Sequence, residues 1–210
     1  MKRAALLIGA AASLVAAVAL VFLATDVSRW PGALEAGDAR YRADPDEPGL
    51  WQPEELAPRR LARDLLALDD DLAYRRAVQG LRVARLEGPA VTDPNLSLLR
   101  SDAQARLLEI VETDGDSVRR SAAANLMGVV ALVSLVAEEQ DRAVLLSAAV
   151  RSFRRAIALD PENEDAKYNL ELSLQRGREL QLSEAAGGRD PAPGGRGSRG
   201  AGTGDPGSGY

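Results

Sequence analysis

The chain contains no cysteine and no histidine, and of its 26 Lys and Arg residues only Lys2 and Lys167 are lysine. Without cysteine there is no disulfide, no thiol nucleophile and no iron–sulfur or thiolate zinc site. Without histidine there is no Ser-His-Asp triad, no HExxH zinc site and no imidazole switch near neutral pH. A general base would have to be Asp, Glu, Tyr or one of the two lysines. Aromatic residues make up 4% of the chain, too few for the stacking platforms that hold bases or sugars. The formal charge of −5 gives nucleic acid no overall attraction. No cofactor, no metal, no nucleic acid and no small-molecule substrate are therefore expected. A composition rich in Ala and Arg and poor in Lys is associated with bacterial genomes of high GC content.

What is present begins with an apolar run. Residues 4–25 carry no charge and consist of Ala, Leu, Val, Ile and Phe with Gly9, Ser13 and Thr25. As a helix this run spans about 33 Å, enough for a bilayer core. A retained anchor over 1–25 is the expected reading. A cleaved signal peptide is the alternative, but its small-x-small site, Ala17-Val18-Ala19, is followed by more apolar chain. Lys2, Arg3 and the amino terminus favour a cytoplasmic N-terminus, which places the rest of the chain outside the cytoplasm, in a single-pass protein of the bacterial inner membrane. Arg29, Arg40 and Arg42 weaken that bias. Trp30 reads equally well as an interfacial anchor or as a packed loop aromatic. Gly9 and Ser13 form a small-xxx-small pair on which two spans can meet. At the other end, residues 187–210 hold ten Gly and three Pro and cannot bury enough surface to offset their ordering entropy. The match to G-x-G-x-x-G at Gly195–Gly200 has no strand before it and no helix after it, so it reads as composition.

Between the ends, apolar residues recur at helical spacing. The expected organisation is an anchor over 1–25, an irregular Pro-containing linker over 26–53, an α-helical domain over 54–182 and a disordered tail over 183–210. Pro31, Pro45, Pro48 and Pro53 mark the linker. Six helices are expected in the domain. The first runs from 54 to 68, the second follows Asp69-Asp70-Asp71 and ends at 86, and the third runs from 94 to 112. The fourth is capped by Asp116 or Ser117 and ends at 137, the fifth ends at 159, and the sixth follows Asn163 and ends near 181. The three aspartates suit a helix start, where they cap and complement the dipole. Arg75, Arg82 and Arg85 read as a solvated face. Residues 126–137, almost wholly apolar but too short to span a bilayer, are expected to form the central core helix.

The chain also echoes itself. Ala77, Leu81, Ala84 and Pro89 recur, each 72 residues later, as Ala149, Phe153, Ala156 and Pro161. Small residues let one helix approach another, a large apolar residue fills the gap, and Pro stops the helix. Asn125-Leu126 recurs as Asn169-Leu170, 44 residues on. The stretch from Ala149 through Pro161 to Leu170 resembles the tetratricopeptide repeat, with Asn125-Leu126-Met127-Gly128 as a looser match. The 21 residues from Gly128 to Ala149 exceed the 12 that the repeat allows, so the resemblance implies a degenerate domain of two or three hairpins. The stretches Ala156–Pro161 and Asp165–Leu172, with Asp70-Asp71-Leu72 and Arg75-Arg76-Ala77, are similar to membrane-anchored repeat proteins encoded beside MoxR-type AAA+ ATPases and von Willebrand factor A-domain proteins. That resemblance implies a partner in such a system and a role in assembling or maturing envelope proteins.

Three function classes follow. The leading one is a non-enzymatic scaffold whose stacked hairpins bind an extended segment or helix of a partner protein. The resemblance implies that Asn125 and Asn169 bond the bound peptide and that Lys167 or Arg155 supplies charge, while the plainer reading packs both Asn residues within their hairpins. The second is an extracytoplasmic hydrolase using two carboxylates drawn from Glu109, Glu112, Glu138 and Glu139. The third is a structural subunit of a membrane complex, held through Gly9 and Ser13.

Overall fold

A computed structural model describes residues 2–57, 60–84, 94–137 and 141–187, with side chains over most of these. All regular structure among the described residues is helical: α1 (Lys2–Ala43), α2 (Leu61–Leu65), α3 (Asp69–Val83), α4 (Pro94–Thr113), α5 (Ser117–Ala137), α6 (Arg142–Leu159) and α7 (Glu164–Gly187). From α3 onward the helices start where periodicity puts them, but α7 runs past its expected end near 181 to Gly187, so the first residues of the expected tail over 183–210 are helical. The expected first helix shrinks to the single turn of α2. Arg85, Pro89, Glu138, Glu139 and the tail from 188 lie outside the described residues.

The main departure is α1. The linker expected over 26–53 is helical as far as Ala43, so one 42-residue helix, about 63 Å long, carries the apolar run into the domain. Its first half is exposed and is long and apolar enough to cross a membrane. Its second half has a reason to stay helical. Leu23, Val27, Trp30, Leu34 and Tyr41 fall on one stripe and pack with Leu50, Trp51, Ala62 and Leu72. Burying side chains of this size contributes about 1.5–3 kcal/mol each. That offsets the loss at Pro31, which sits on the exposed side and lacks an N–H for the helical bond. Trp30 is thus a buried helix residue, 3% exposed, and not a loop aromatic.

After Ala43 the chain turns back along α1 as an irregular strap, through Gly49 at φ +73°. The buried carboxylate of Asp26 accepts the backbone N–H of Leu56 (2.8 Å) and of Ala57 (2.6 Å). Trp51 Nε1 donates to Asp38 (2.9 Å), Trp30 Nε1 to Glu55 (3.2 Å), and Arg40 to the Leu50 carbonyl (2.7 Å). Gly37 lets the strap lie flat: a Cβ there would stand 2.5 Å from the Leu50 carbonyl oxygen and 2.7 Å from Trp51 Nε1. Arg75 of α3 ion-pairs with Asp38 and Asp71 and lies 5.9 Å over the Trp51 ring, so it is a structural tie and not a solvated residue. Gln79 donates to the carbonyls of Pro45 and Glu47. Moving along α1 and the strap away from the apolar half, the partners on α3 advance from Leu72 to Arg75 to Gln79. α3 therefore runs in the same sense as α1, and the C-terminal end of α3 points away from the apolar half.

The remaining helices stack in sequence order. Gly80 of α3 faces Ala103 of α4, Gly128 of α5 faces Phe153 of α6, and Gly177 of α7 faces Leu146 of α6. These contacts make successive helices antiparallel. The core joins Ala77, Leu81, Leu107, Ile110, Val111, Ala123, Val130, Ala156 and Ala166. Ala84, Ala149 and Phe153 are fully buried, while Pro161 is exposed just beyond α6. The described motif positions on α3 and α6 are therefore buried, and Pro161 follows the end of its helix. The three aspartates open α3, but its N-cap is Leu68 and no side chain caps it. They act through the dipole and through ion pairs, Asp69 with Arg63 and Asp71 with Arg75.

Candidate protein-interaction face

α5 and α7, two helices apart in the chain, lie side by side and run in the same direction. Two bridges fix this. Asn163 Nδ2 donates to Ser121 Oγ (2.8 Å), and one turn further on Asn169 Nδ2 donates to Asn125 Oδ1 (3.0 Å). Ser121 is fully buried and donates in turn to the Ala156 carbonyl (2.8 Å), so one hydroxyl ties α5, the end of α6 and the start of α7. Asn163 also caps α7 by accepting the Ala166 N–H (2.9 Å), as Asp116 caps α5 by accepting the Val118 N–H (2.8 Å). Asp114, 6% exposed, anchors the α4–α5 turn with two bonds from Arg119 (2.8 and 2.9 Å). Burial pushes its carboxyl up, but the Arg119 hydrogen bonds, the Asp116 N–H and the charges of Arg119 and Arg120 outweigh this and hold it below the usual carboxylate range.

The Asn bridge sits at the edge of a half-buried apolar stripe. Helical spacing places Val118, Ala122, Asn125, Val129 and Val133 on one side of α5, and none of them is buried. Val118 is 59% exposed. On α7, Tyr168 and Leu172 flank Asn169, and Tyr168 is 68% exposed. Over Ser117–Leu135 six residues are fully buried, most of the rest are half-buried, and Ser117 and Val118 are exposed, although the helix is apolar enough to pass for a membrane span by length and composition. The expected central core helix is therefore core on one side and half-buried on the other. Ala123, Ala124 and Val130 face inward, while Leu126, Val129, Leu132 and Val133 are only partly covered. Leu98 and Val144, at the starts of α4 and α6, are 69% and 65% exposed. Antiparallel packing brings both to the end of the bundle where α5 finishes, the end that points away from the apolar half of α1.

Comparison with family models, curated proteins and solved structures finds no match.

The site residues expected from sequence divide accordingly. Asn125 and Asn169 come together, and they bond each other. Lys167 and Arg155 do not join them. Lys167 lies on the far side of α7 and pairs with Glu164 (2.7 Å), and Arg155 pairs with Glu112 of α4 (2.8 Å). Leu170 is half-buried beside the bridge. Of the carboxylates considered for hydrolysis, Glu138 and Glu139 lie outside the described residues. Glu109 and Glu112 are exposed, and the hydrogen bond from Arg155 holds the Glu112 carboxyl below its usual value, the wrong direction for a general acid. No group of three or more potential metal-ligating side chains converges among the described residues. Sequence reasoning missed Ser121. The available signal was its 42-residue offset from Asn163, close to the 44-residue offset of the two Asn-Leu pairs.

Proposed function

We propose that this protein is a membrane-anchored scaffold with tetratricopeptide-like hairpins, which holds an amphipathic or extended apolar segment of a partner protein against the α5/α7 face. The observation that carries the reading is the incomplete burial of the α5 apolar stripe beside exposed Tyr168. A partner laid along Val118, Val129 and Val133 would remove apolar surface that the chain itself leaves wet, and a segment of about 800 Å² per side is of the size that stable complexes bury. The Asn bridge supports register. It uses one amide donor and one carbonyl, so each side chain keeps a polar group for a partner backbone. The longer helices fit this use: the residues beyond the repeat's usual spacing lengthen both arms of the α5/α6 hairpin while Gly128 still meets Phe153. The continuous α1 would hold the face at fixed height above the bilayer, outside the cytoplasm. The partner class implied by the sequence resemblance is an envelope protein assembled with a MoxR-type ATPase system.

The test is comparative co-purification of the full-length chain from native membranes. Val129→Asp, placing a charge in the stripe, is expected to reduce recovery of a specific partner by about 30-fold, the scale of a central contact. Arg154→Gln on α6 should leave recovery unchanged. Equal recovery with both variants would remove the face from the proposal.

A further inference from the structure

A cavity of about 420 Å³ lies at the other end of the bundle, between α1, the strap, α2 and α3. Its wall carries Trp30, Trp51, Glu55, Arg60, Arg63 and Arg76. Three arginines and one glutamate line it, and Arg76 also borders a second cavity with Asp70, Glu109 and Asp114. Arg63 is ion-paired with Asp69, and Glu55 holds Trp30 Nε1. Among the described residues, Arg60 and Arg76 make no ion pair and donate no side-chain hydrogen bond. Arg76 is only partly exposed, and burial together with the charges of Arg63, Arg60 and Arg106 pulls its pKa below the usual value. A guanidinium stays protonated regardless, so this marks a net positive field that Asp69 offsets only in part, and not a titration. Arg60 is held in the left-handed region at φ +60°, a conformation the local chain does not favour. Guanidinium donors in a cavity walled by tryptophan suit a phosphate.

Height indicates where the phosphate comes from. Trp30 lies five residues beyond the uncharged run, about 7.5 Å further along α1. The headgroup layer extends about 5–8 Å beyond the hydrocarbon core. We propose that this cavity binds the phosphate of an anionic phospholipid headgroup in the leaflet from which α1 emerges. The bound lipid would fix the collar, meaning the second half of α1 with the strap and α2 packed on it, against the bilayer surface, independently of whether the α5/α7 face binds a partner.

Trp30 and Trp51 are the chain's only tryptophans, so tryptophan emission reports on this cavity and its collar. The experiment follows thermal melting by that emission for the full-length chain in detergent micelles supplemented with phosphatidylglycerol, with phosphatidylcholine or with inorganic phosphate. Native mass spectrometry counts retained lipids in parallel. Phosphatidylglycerol is expected to raise the melting temperature in a concentration-dependent way and to remain as one adduct, with neither effect from phosphatidylcholine. Arg60→Gln with Arg76→Gln should raise the phosphatidylglycerol needed for the same shift by about tenfold or more. Arg154→Gln with Arg176→Gln should leave it unchanged. Glu55→Gln should lower it, which keeps the test decisive if the double arginine variant folds poorly. Equal shifts with both phospholipids, or an undiminished shift in the Arg60/Arg76 variant, would overturn the proposal. A shift with inorganic phosphate and none with phosphatidylglycerol would overturn the lipid assignment and leave a soluble-anion site.

Discussion

Replacing Gly128 with Ala probes the α5/α6 contact on which the stack depends. The new Cβ would stand 2.6 Å from Cζ and 2.7 Å from Cδ1 of Phe153. Carbon atoms in good contact lie about 3.5–4.0 Å apart, so the ring would have to withdraw by about 1 Å. It cannot do so freely, because Phe153 is fully buried between Ala149 and Ala156 on its own helix face. Overpacking of this kind costs about 1–3 kcal/mol. Ala for Gly within a helix returns about 1 kcal/mol. The net expectation is a loss of up to about 2 kcal/mol. Gly177→Ala is the matched control, since its Cβ would lie 3.2 Å from Leu146 Cδ2, the end of a half-buried flexible side chain. There the propensity gain should dominate, with a net gain of about 0.5 kcal/mol. Urea unfolding of the detergent-solubilised full chain, followed by far-ultraviolet circular dichroism, reads both values. Phe153→Leu in the Gly128→Ala background should recover part of the loss through a coupling of about 1 kcal/mol. If Gly128→Ala stabilises as much as Gly177→Ala, the α5/α6 register described here is wrong.

Three further outcomes are expected. Ser121→Ala removes the acceptor for Asn163 and the donor to Ala156, and should cost about 1–2 kcal/mol in the same unfolding assay. Asp114 is held below its ordinary value in the folded state, so it adds stability above about pH 4 that disappears as pH falls through the folded value. Asp114→Asn should therefore lose about 2 kcal/mol at pH 7 and flatten the acid limb of a stability–pH profile. Gly37→Ala drives a Cβ into the strap backbone and should free the strap from α1, measured as faster amide exchange over 50–57 with α3–α7 unaffected.

Much of the α3–α7 region was legible because its signals are local. Asp116 and Asn163 announce helix starts, Pro161 a stop, and the Ala-x3-apolar-x2-Ala spacing a close-packed face. The collar was not legible for a physical reason. Pro31 is a strong local breaker, and it outweighed the stripe from Leu23 to Tyr41 as long as the buried partners of that stripe were unknown. Those partners, Leu50, Trp51 and the N–H groups that meet Asp26, lie on a strap with no periodicity of its own. The candidate face was half legible. The equivalence of Asn125 and Asn169 was readable from the Asn-Leu repeat. Their mutual bond depends on the parallel alignment of α5 and α7, which only the tertiary fold supplies. Lys167 and Arg155 illustrate the converse: proximity in sequence to Asn169 and Phe153 says nothing of which side of a helix a charge occupies.

We propose that the α5/α7 face carries a partner. A photo-reactive residue placed singly at Val129, Tyr168 or Arg154 of the full-length chain in native membranes tests it most directly, with the adducts identified by mass spectrometry. Binding at this face gives the same partner protein from Val129 and Tyr168 and none of it from Arg154. Adducts to that protein from Arg154 alone, or equal yields from all three positions, would contradict it.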